Sequence, residues 1–382
     1  MTNKKPDRVE EELNQGANIS IINLVDRLIE KAHASRASDI HIDPLAKNVR
    51  IRFRVDGVLA NVYSFPKEIN NEIISRIKIL SKLRTDEHQA TQDGRFRYVF
   101  SEEKDRQNEF IDFRVSIMPT HHGENAVLRL LVDKNEELTL KDLGFSENDI
   151  QKIKKAIKKT SGMILSTGPT GSGKTTTMYA LIKMLNSPEV SIITIEDPIE
   201  YAVSEIKQIQ VNARSGLTFA NGLRSILRQD PNIIMVGEIR DAETASIAVN
   251  TALTGHLLLS TLHTNDAATT LPRLLDMGIE EYLIASTVSV AIGQRLVRKI
   301  CKECKRKGCG ECGNTGYKGR MCINEVLVAD NEIREAILRR ASADEIKKIA
   351  IKNGMTTMLE DGLQKVKNGF TTVEEVLRVV HE

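Results

Sequence analysis

Residues 163–185 read MILSTGPTGSGKTTTMYALIKML, an apolar run, a glycine-rich loop and a second stretch that favours a helix. The loop from Gly168 to Thr175 matches the pattern G-x-x-x-x-G-K-[ST], in which backbone N–H groups surround phosphate oxygens. Glycines keep side chains out of that cradle, and the following helix adds the positive end of its dipole. A chance match is disfavoured because a predicted strand precedes the loop and a predicted helix follows it. The stretch therefore predicts a phosphate-binding loop.

The residue types in this loop indicate Mg-ATP as the ligand. Lys174 is expected to reach the β- and γ-phosphates, and the Thr175 hydroxyl is expected to ligate Mg²⁺. The predicted nucleotide-binding set comprises Gly168, Pro169, Thr170, Gly171, Ser172, Gly173, Lys174, Thr175 and Thr176. Hydrolysis also requires carboxylates that hold the metal and polarise water.

Two candidate carboxylates follow apolar runs that are predicted strands. Glu196 ends the run ITIE, and Glu238 lies just past the run IIMV. In a parallel sheet the carboxyl ends of the strands share one edge, which also carries the phosphate loop. Both acids are therefore expected to converge on the metal, and spacing does not decide which one holds Mg²⁺ and which one aligns water. The alternative is that either acid is a turn residue or a helix cap.

Two histidines flank the apolar run LLLSTL, with His256 before it and His263 after it. The run predicts a strand with one histidine at each end. A neutral imidazole there would contact the γ-phosphate or hydrogen-bond to the acids. A purely structural histidine is an equal alternative.

The carboxy-terminal half predicts an α/β fold. Short apolar runs alternate with helical stretches, which indicates a mostly parallel sheet wrapped by helices. These runs lie at 163–166, 191–195, 233–236 and 257–261. Beyond them, two capping-box patterns, Ser342 with Glu345 and Thr372 with Glu375, and a stop at Gly354 predict carboxy-terminal helices.

The amino-terminal half shows a different period. Apolar residues recur every three or four positions from Ile21 to Ala32, which predicts a helix. From Val49 to Val55 they alternate with arginines and end at Asp56-Gly57, which is typical of a hairpin. A further helix and three strands complete a predicted α+β unit of about 120 residues; they lie near 70–83, 96–100, 110–117 and 126–132.

The composition is that of an ordinary globular protein. Of 382 residues, 41% are hydrophobic and 28% charged, and the net charge is only +2. This balance, with 4% aromatic residues and no tryptophan, argues against direct nucleic-acid binding. The polar start lacks the apolar segment of a secretory signal, and no run approaches the ~18 apolar residues of a membrane span. The sequence therefore predicts a cytoplasmic protein.

Four of the five cysteines form the pattern Cys301-x₂-Cys304-x₄-Cys309-x₂-Cys312. Paired C-x₂-C knuckles suit a zinc ion with four thiolate ligands, and clustered cytosolic thiols rarely form disulfides. Four thiolates leave no open coordination position, so the predicted Zn²⁺ is structural. The fifth, Cys322, is expected to be a buried small hydrophobe.

The motifs together resemble the type II secretion and type IV pilus assembly ATPases, the extension motors of the secretion ATPase superfamily. The resemblance runs from about residue 20 to the end. Besides the phosphate loop, the segments that carry it are an Asp box at 195–201, a Walker B block at 223–231 and 237–243, a His box at 254–265, and amino-terminal motifs at 37–44 and 92–95. The loop between the two cysteine pairs is shorter than is usual in this family, and the extra amino-terminal domain of many members is not expected here.

The resemblance implies a RecA-like P-loop motor domain preceded by a smaller α+β, PAS-like domain, with helical carboxy-terminal elements. The expected boundaries are a disordered tail (1–17), the PAS-like domain (18–132), a linker (133–143), the RecA-like ATPase core (144–298), a tetracysteine metal-binding element (299–325) and a helical subdomain (326–382).

The resemblance also implies arginines that reach the phosphates. By motif these are Arg114 and Arg129 in the amino-terminal domain, and Arg224 and Arg228 before the Walker B block. An arginine that closes on the γ-phosphate neutralises transition-state charge. The alternative for Arg114 is an ion pair with Asp112 on the same strand face.

The expected assembly is a homohexamer on the inner face of the cell membrane. Its implied partners are an inner-membrane platform protein and a recruiting membrane-complex protein. The implied activity is ATP hydrolysis that drives pilus or pseudopilus assembly, with no direct nucleic acid. Two alternatives remain, a retraction motor, which generally lacks the four cysteines, and a RecA-like nucleic-acid or conjugation translocase.

Overall fold

The computed structural model describes residues 7–100, 110–131 and 138–380. The chain divides into two units, Met1–Lys134 and Asn135–Glu382. The first unit contains helices α1 (Arg8–Leu13), α2 (Ile21–Ala34) and α3 (Asn70–Leu80), and strands β1 (Ala37–Pro44), β2 (Asn48–Val55), β3 (Val58–Pro66), β4 (Gln92–Val99), β5 (Phe110–Thr120) and β6 (Gly123–Leu131). Single 3₁₀ turns occur at Gly16–Asn18 and Lys67–Ile69.

The strands of the first unit form one antiparallel sheet in the order β3-β2-β1-β6-β5-β4. One face of this sheet is apolar and packs against α2 and α3. On β2, for example, the buried residues Val49, Ile51 and Phe53 alternate with arginines. The predicted hairpin is confirmed, since Val55 pairs with Val58 across Asp56 and Gly57, both of positive φ.

The expected disordered tail is wrong from Asp7 onward. Asp7 caps α1, accepts hydrogen bonds from Lys31 (2.9 Å) and Tyr63 (2.8 Å), and so ties the helix to the domain. Val9 is buried in the same core. Residues 1–6 lie outside the described part. Strand β1 was not predicted, although its residues carry one of the family motifs.

The second unit contains strands β7 (Gly162–Thr167), β8 (Ile192–Glu196), β9 (Lys207–Gln210), β10 (Ile233–Val236), β11 (Leu257–Leu262), β12 (Val288–Ile300) and β13 (Tyr317–Val328). Its helices are α4 (Leu140–Leu143), α5 (Glu147–Ile157), α6 (Lys174–Leu185), α7 (Phe219–Ile226), α8 (Ala242–Leu253), α9 (Thr270–Asp276), α10 (Glu281–Thr287), α11 (Asn331–Leu338), α12 (Ala343–Lys352), α13 (Met358–Lys367) and α14 (Val373–Val380). Two 3₁₀ turns lie at Ala213–Ser215 and Gly310–Cys312.

The sheet of the second unit has the order β13-β12-β7-β11-β10-β8-β9, and every pairing except β12 with β13 is parallel. The predicted mixed α/β fold is therefore confirmed. All four apolar runs are strands whose residues are almost entirely buried between helices on both faces. This arrangement brings the carboxyl ends of β7, β8, β10 and β11 to one edge.

Two expected boundaries differ from the structure. Residues 138–143 are not linker, because Thr139 caps α4 and Leu140 is buried in the core of the second unit. Residues 132–137 lie outside the described part. The bounds of the tetracysteine element, 299–325, cut through both β12 and β13, which extend the sheet, and the cysteines occupy the loop that joins these two strands.

The carboxy-terminal helices are confirmed, but the two capping boxes form only in part. The hydroxyls of Ser342 and Thr372 accept from the backbone N–H groups of Glu345 (3.3 Å) and Glu375 (3.4 Å). The acids do not return the bond because arginines engage them: Arg339 pairs with Glu345, and two arginines pair with Glu375. Gly354 follows α12 with a φ of 88°, as predicted. No helix in the described ranges is long and apolar enough to cross a membrane.

Candidate active site

The phosphate loop connects the end of β7 to the start of α6. Gly168, Gly171 and Gly173 all have positive φ, at 145°, 79° and 92°. A Cβ atom at Gly168 would lie 2.5 Å from the carbonyl oxygen of Gln294 and 2.6 Å from Ser172 Oγ. The predicted strand, loop and helix are all present, and the loop leaves no room for a side chain at Gly168.

The Lys174 ammonium lies folded against this loop. Its Nζ donates to the carbonyl oxygens of Gly168 (2.8 Å) and Pro169 (2.9 Å), and the residue is only 8% exposed. Burial lowers the pKa of Lys174 to about 8; the charge of Glu238 opposes this shift and that of Arg295 adds to it. The ammonium is thus a charge that lacks bulk water, and an anionic phosphate would stabilise it.

A glutamine that the sequence did not single out holds the phosphate loop in place. Gln294, on β12 beside β7, is 1% exposed. Its Nε2 donates to the carbonyl oxygen of Ser172 (2.9 Å), and its Oε1 accepts from Ser166 Oγ (3.1 Å). One amide therefore joins the strand before the loop to the loop itself. A polar residue inside the apolar run VSVAIGQRLV was the only available signal.

Glu238 and His263 meet at the same edge of the sheet as the phosphate loop. Glu238 follows β10, is 8% exposed, and lies 2.6 Å from Arg240 through Oε1. His263 follows β11, and its Nε2 lies 3.2 Å from Glu238 Oε2. The charge of Glu238 favours the ammonium form of Lys174 and so raises the pKa of that lysine. Glu238 thus follows a strand that ends at the expected edge, and its role at the metal stays a prediction.

Glu196 also lies at this edge, but its carboxylate is already engaged. One oxygen accepts from the Tyr179 hydroxyl, and the other accepts from Thr194 Oγ1 (2.5 Å) and Gln208 Nε2 (3.2 Å). Both Tyr179 and Glu196 are buried. This network fixes α6, which carries the phosphate lysine at its start, to β8. Glu196 is thus better placed to position the loop than to bind a metal directly.

The structure separates His256 from the phosphate loop. His256 precedes β11, and its backbone carbonyl accepts from Gly162 N (3.2 Å) at the start of β7. Six residues of β11, about 20 Å of extended chain, lie between His256 and the edge that carries His263. The two histidines flank the strand as predicted. His256 lies at the end far from the phosphate loop, so the prediction that it contacts nucleotide bound at that loop is wrong. Its ring contacts Thr251 O (3.3 Å), in accord with the structural alternative.

Arg224 lies on the exposed surface of α7, and Arg228 lies exposed just past the end of that helix. Arg224 donates to Glu243 (2.8 Å), at the start of α8, and Arg228 donates to the carbonyl oxygen of Arg224 and to Ser225 Oγ. These hydrogen bonds hold both side chains along the helix. The structure therefore does not bring them to the phosphate loop of their own chain.

Arg114 and Arg129 lie on the first unit, opposite each other on β5 and β6. Arg129 pairs with Asp39 (2.9 Å), which faces it on β1. Asp112, the residue considered as a partner for Arg114, accepts two hydrogen bonds of 2.8 Å from Arg97. Both predicted arginines thus belong to a charged row on the first sheet.

The four clustered cysteines come together as a metal site would require. Their Sγ atoms all lie within 4.8 Å of one another. Burial opposes ionisation of Cys312, but backbone N–H groups of Cys309 and Gly316, each 3.3 Å from its Sγ, lower the pKa of the thiol to about 6. Because thiolates are the ligands that zinc prefers, the set fits a structural Zn²⁺, and the shorter loop does not prevent it. Cys322 is buried as predicted, and burial raises its pKa to about 12.

Comparison with known proteins shows the family. The family model described as "Type II/IV secretion system protein" matches residues 14–378. Type II secretion system protein E of Xanthomonas campestris pv. campestris is 46% identical over 95% of this chain and 68% of its own length. The type IV pilus assembly ATPase PilB of Thermus thermophilus is 45% identical over 92% of this chain, which spans 42% of that protein.

Two solved structures share the architecture across nearly the whole chain. The Legionella pneumophila ATPase DotB matches with a TM-score of 0.71 and 25% identity, over 93% of this chain and 95% of that one. The pilus retraction motor PilT with bound ADP matches with a TM-score of 0.63 and 28% identity, over 92% and 95%. With the complete phosphate loop and its facing acid, these matches show that the chain is an ATP hydrolase and belongs to the Type II/IV secretion system protein family.

Proposed function

We propose that this chain is the motor that drives assembly of a pilus or pseudopilus in a type IV pilus or type II secretion system. The proposal is carried by the phosphate loop with Glu238 and His263 beside it, in a chain whose relatives are named for those two systems. The four clustered cysteines favour assembly over retraction, although the PilT likeness keeps retraction as the second candidate.

The site supports a division of roles in hydrolysis. Lys174 and the loop N–H groups would hold the phosphates, and Thr175 would ligate Mg²⁺, which neutralises charge on the β- and γ-oxygens when bound. We assign Glu238 to the attacking water because its carboxylate faces this edge, and His263 to orienting that carboxylate. Glu196 positions α6 through Tyr179.

The finer organisation is proposed from the resemblance. The first unit would be the PAS-like domain and the second the RecA-like motor, in a homohexamer at the inner face of the cell membrane. An inner-membrane platform protein would receive the movement, and a membrane-complex protein would recruit the ring. Basic residues in the cysteine loop (Lys302, Lys305, Arg306 and Lys307) are the observation that keeps a nucleic-acid translocase as an alternative.

Phosphate release by the purified chain tests the motor, with Lys174→Ala as the matched control. Wild type should hydrolyse Mg-ATP and form hexamers in light scattering with nucleotide, whereas Lys174→Ala should keep its fold and lose turnover. In the source organism, deletion of the gene should abolish pili or secretion of exported enzymes. Stimulation by DNA or RNA, with pili and secretion intact, would instead support the translocase.

A further inference from the structure

A buried carboxylate outside the phosphate loop joins two parts of the second unit. Glu325, on β13, is 1% exposed. Its Oε1 accepts from the backbone N–H of Ala267 (2.8 Å), and its Oε2 accepts from that of Met358 (3.4 Å), the first residue of α13. Ala267 belongs to the segment 263–269 between β11 and α9, which we call the sensor loop. One side chain therefore connects the sensor loop to a carboxy-terminal helix.

A glycine makes this connection possible. Gly293 pairs with Glu325 in the β12–β13 register. A Cβ atom at position 293 would lie 2.8 Å from Ala267 N and 3.0 Å from Glu325 Oε1. The Glu325 side chain thus crosses β12 where no side chain obstructs it, and any larger residue at 293 would displace either the carboxylate or the sensor loop.

The sensor loop begins at the catalytic edge. His263 is its first residue and lies 3.2 Å from Glu238. The next residue, Thr264, donates its N–H to Thr167 Oγ1 (3.0 Å), immediately before the phosphate loop. Displacement of the loop at Ala267 would therefore reach His263 within four residues.

A second contact ties the same loop to another carboxy-terminal helix. Asp266 accepts from Thr269 N (2.9 Å) and pairs with Lys347 Nζ of α12 (2.9 Å). A cavity of about 490 Å³ opens here, lined in part by Asp266, Glu325 and Lys347. Close packing is therefore interrupted at this junction, and polar contacts fix the loop instead.

Burying the Glu325 carboxylate costs free energy of folding unless the carboxylate accepts hydrogen bonds. Burial raises the pKa of the Glu325 carboxyl, while the N–H of Ala267, the charge of Lys347 and the N–H of Met358 act in the opposite direction. Loss of the carboxylate would leave Ala267 N buried without an acceptor. The carboxylate is thus needed by the loop rather than by packing.

We propose that Glu325 is a positioning residue for ATP hydrolysis, which fixes the sensor loop and His263 and couples them to α12 and α13. This inference rests on the proposed roles of Glu238 and His263. Through this contact, a partner that displaces α13 would displace His263 and so alter turnover, and nucleotide that orders the sensor loop would alter protection of the first turn of α13.

Steady-state ATP hydrolysis and hydrogen exchange on the full chain test the proposal with Glu325→Ala, Glu325→Gln and Asp361→Ala. Asp361 is buried on α13 and accepts from Asn324 N of β13 (2.9 Å), away from the sensor loop, so Asp361→Ala controls for a general loss of stability. We expect Glu325→Ala to lower kcat roughly 10- to 100-fold, the cost of misplacing a catalytic group by about an ångström. KM for ATP should change less than about twofold, because the phosphate loop is untouched.

Three further readouts separate positioning from a general loss of structure. Glu325→Gln, whose amide oxygen still accepts from Ala267 N, should recover most of kcat. Exchange of peptides covering 263–269 should rise in Glu325→Ala and stay at the wild-type level in Asp361→Ala. Adding Glu325→Ala to His263→Ala should lower kcat by less than about twofold, since effects transmitted through one residue are not additive.

Wild-type kcat in Glu325→Ala, or equal losses of kcat in Glu325→Ala and Asp361→Ala, would overturn the proposal. A separate experiment tests the role proposed for His263, on which the role of Glu325 depends. Full turnover in His263→Ala alone would contradict the proposed role of that histidine, whatever Glu325→Ala does to exchange.

Discussion

Lys174 needs a positive charge to bind phosphate, but its side chain is buried, and burial disfavours that charge. Its pKa of about 8 lies below the ordinary value for lysine because burial disfavours the ammonium. The unfolded chain therefore binds this proton more tightly than the folded one between about pH 8 and pH 10.5. By linkage, the penalty on folding is fully present below pH 8 and is relieved as pH rises through that window.

Nucleotide should reverse this shift. Phosphate oxygens near the ammonium favour its charged form, so ATP binding at pH 8–9 should take up a proton and weaken as pH rises. Calorimetric titration in buffers of different ionisation enthalpy measures that proton directly, with Lys174→Ala as the control. A proton count of zero at pH 8.5, with intact binding, would show that Lys174 is already charged in the free protein.

The two acids should respond differently to the loss of charge. Glu238→Gln should still bind ATP but turn it over roughly 10²-fold or more slowly, the usual contribution of a positioned base. Glu196→Gln should chiefly lower stability, by about 1–3 kcal/mol, because both carboxylate oxygens accept hydrogen bonds and the amide nitrogen that replaces one of them cannot accept. Fluorescent-nucleotide binding, turnover and thermal unfolding of both variants measure the contrast. A larger loss of turnover in Glu196→Gln would exchange their roles.

At the scale of elements, the sequence predicts the strands and helices whose apolar pattern is set by residues close together in the chain. The continuous apolar runs of β7, β8, β10 and β11 became buried parallel strands, and the alternation in β2 became a half-buried one. Strands β12 and β13 were missed because β12 is interrupted by Gln294 and Arg295 and pairs with a strand beyond the cysteine loop. The roles of Gln294 and Glu325 depend on that pairing, so the sequence indicated the phosphate loop and Glu238 but not the residues that hold them.

At the β13 edge of the second sheet, helix α13 packs against the strand. On α13, Asp361 accepts from Asn324 N (2.9 Å), and Lys365 donates to the carbonyl oxygen of Cys322 (2.7 Å) and to Asp361 (2.5 Å). The side chains thus satisfy backbone groups of β13 that a further strand would otherwise pair. This protects an edge that could template aggregation.

Removal of one member of this pair should therefore destabilise the fold. Lys365→Met should lower the free energy of unfolding by about 3–5 kcal/mol, since it leaves Asp361 as a buried charge without its partner. The double variant Lys365→Met with Asp361→Leu should recover part of the loss. Denaturant unfolding followed by circular dichroism measures both. Equal stability of wild type and Lys365→Met would show that the ion pair is replaced by water.

The cysteine loop is the predicted zinc site of the second unit. The cysteine loop closes the β12–β13 hairpin, and the Sγ atoms already lie within 4.8 Å of one another. We expect one zinc per chain in protein purified without added metal, measured by elemental analysis. Cys304→Ser with Cys309→Ser should lose the metal and raise hydrogen exchange in the cysteine loop, with a smaller effect on β7. Metal-free wild type with four titratable thiols would contradict the site.

For the whole molecule, the prediction that turnover depends on assembly is based on the charged row of the first unit. Arg95, Arg114 and Arg129 face one another on β4, β5 and β6. Like charges at directly opposed positions repel each other, and Asp39 pairs with Arg129 on β6. A phosphate anion near the row would be attracted to these arginines, and the resemblance implies that this anion would be the phosphate of bound ATP.

We therefore predict that Arg114 and Arg129 act at the nucleotide, on the same chain or a neighbour. An arginine supplied in this way contributes roughly 10³–10⁵ in rate in phosphoryl-transfer enzymes. Arg114→Ala and Arg129→Ala should cut turnover sharply and leave zinc content, the fold and hexamer mass intact. Arg97→Ala is the matched control, because Arg97 lies on the same face but pairs with Asp112.

Mixing experiments distinguish the two arrangements. In a mixed ring, a Lys174→Ala chain keeps its arginines and an Arg114→Ala chain keeps its phosphate loop. If the arginine acts on a neighbour's nucleotide, the first chain completes the site of the second, and turnover rises above that of either variant alone. If it acts within one chain, every site in the mixture lacks one group and turnover stays low. Full activity in both arginine variants would contradict the prediction and leave the row as surface ion pairs, which contribute little.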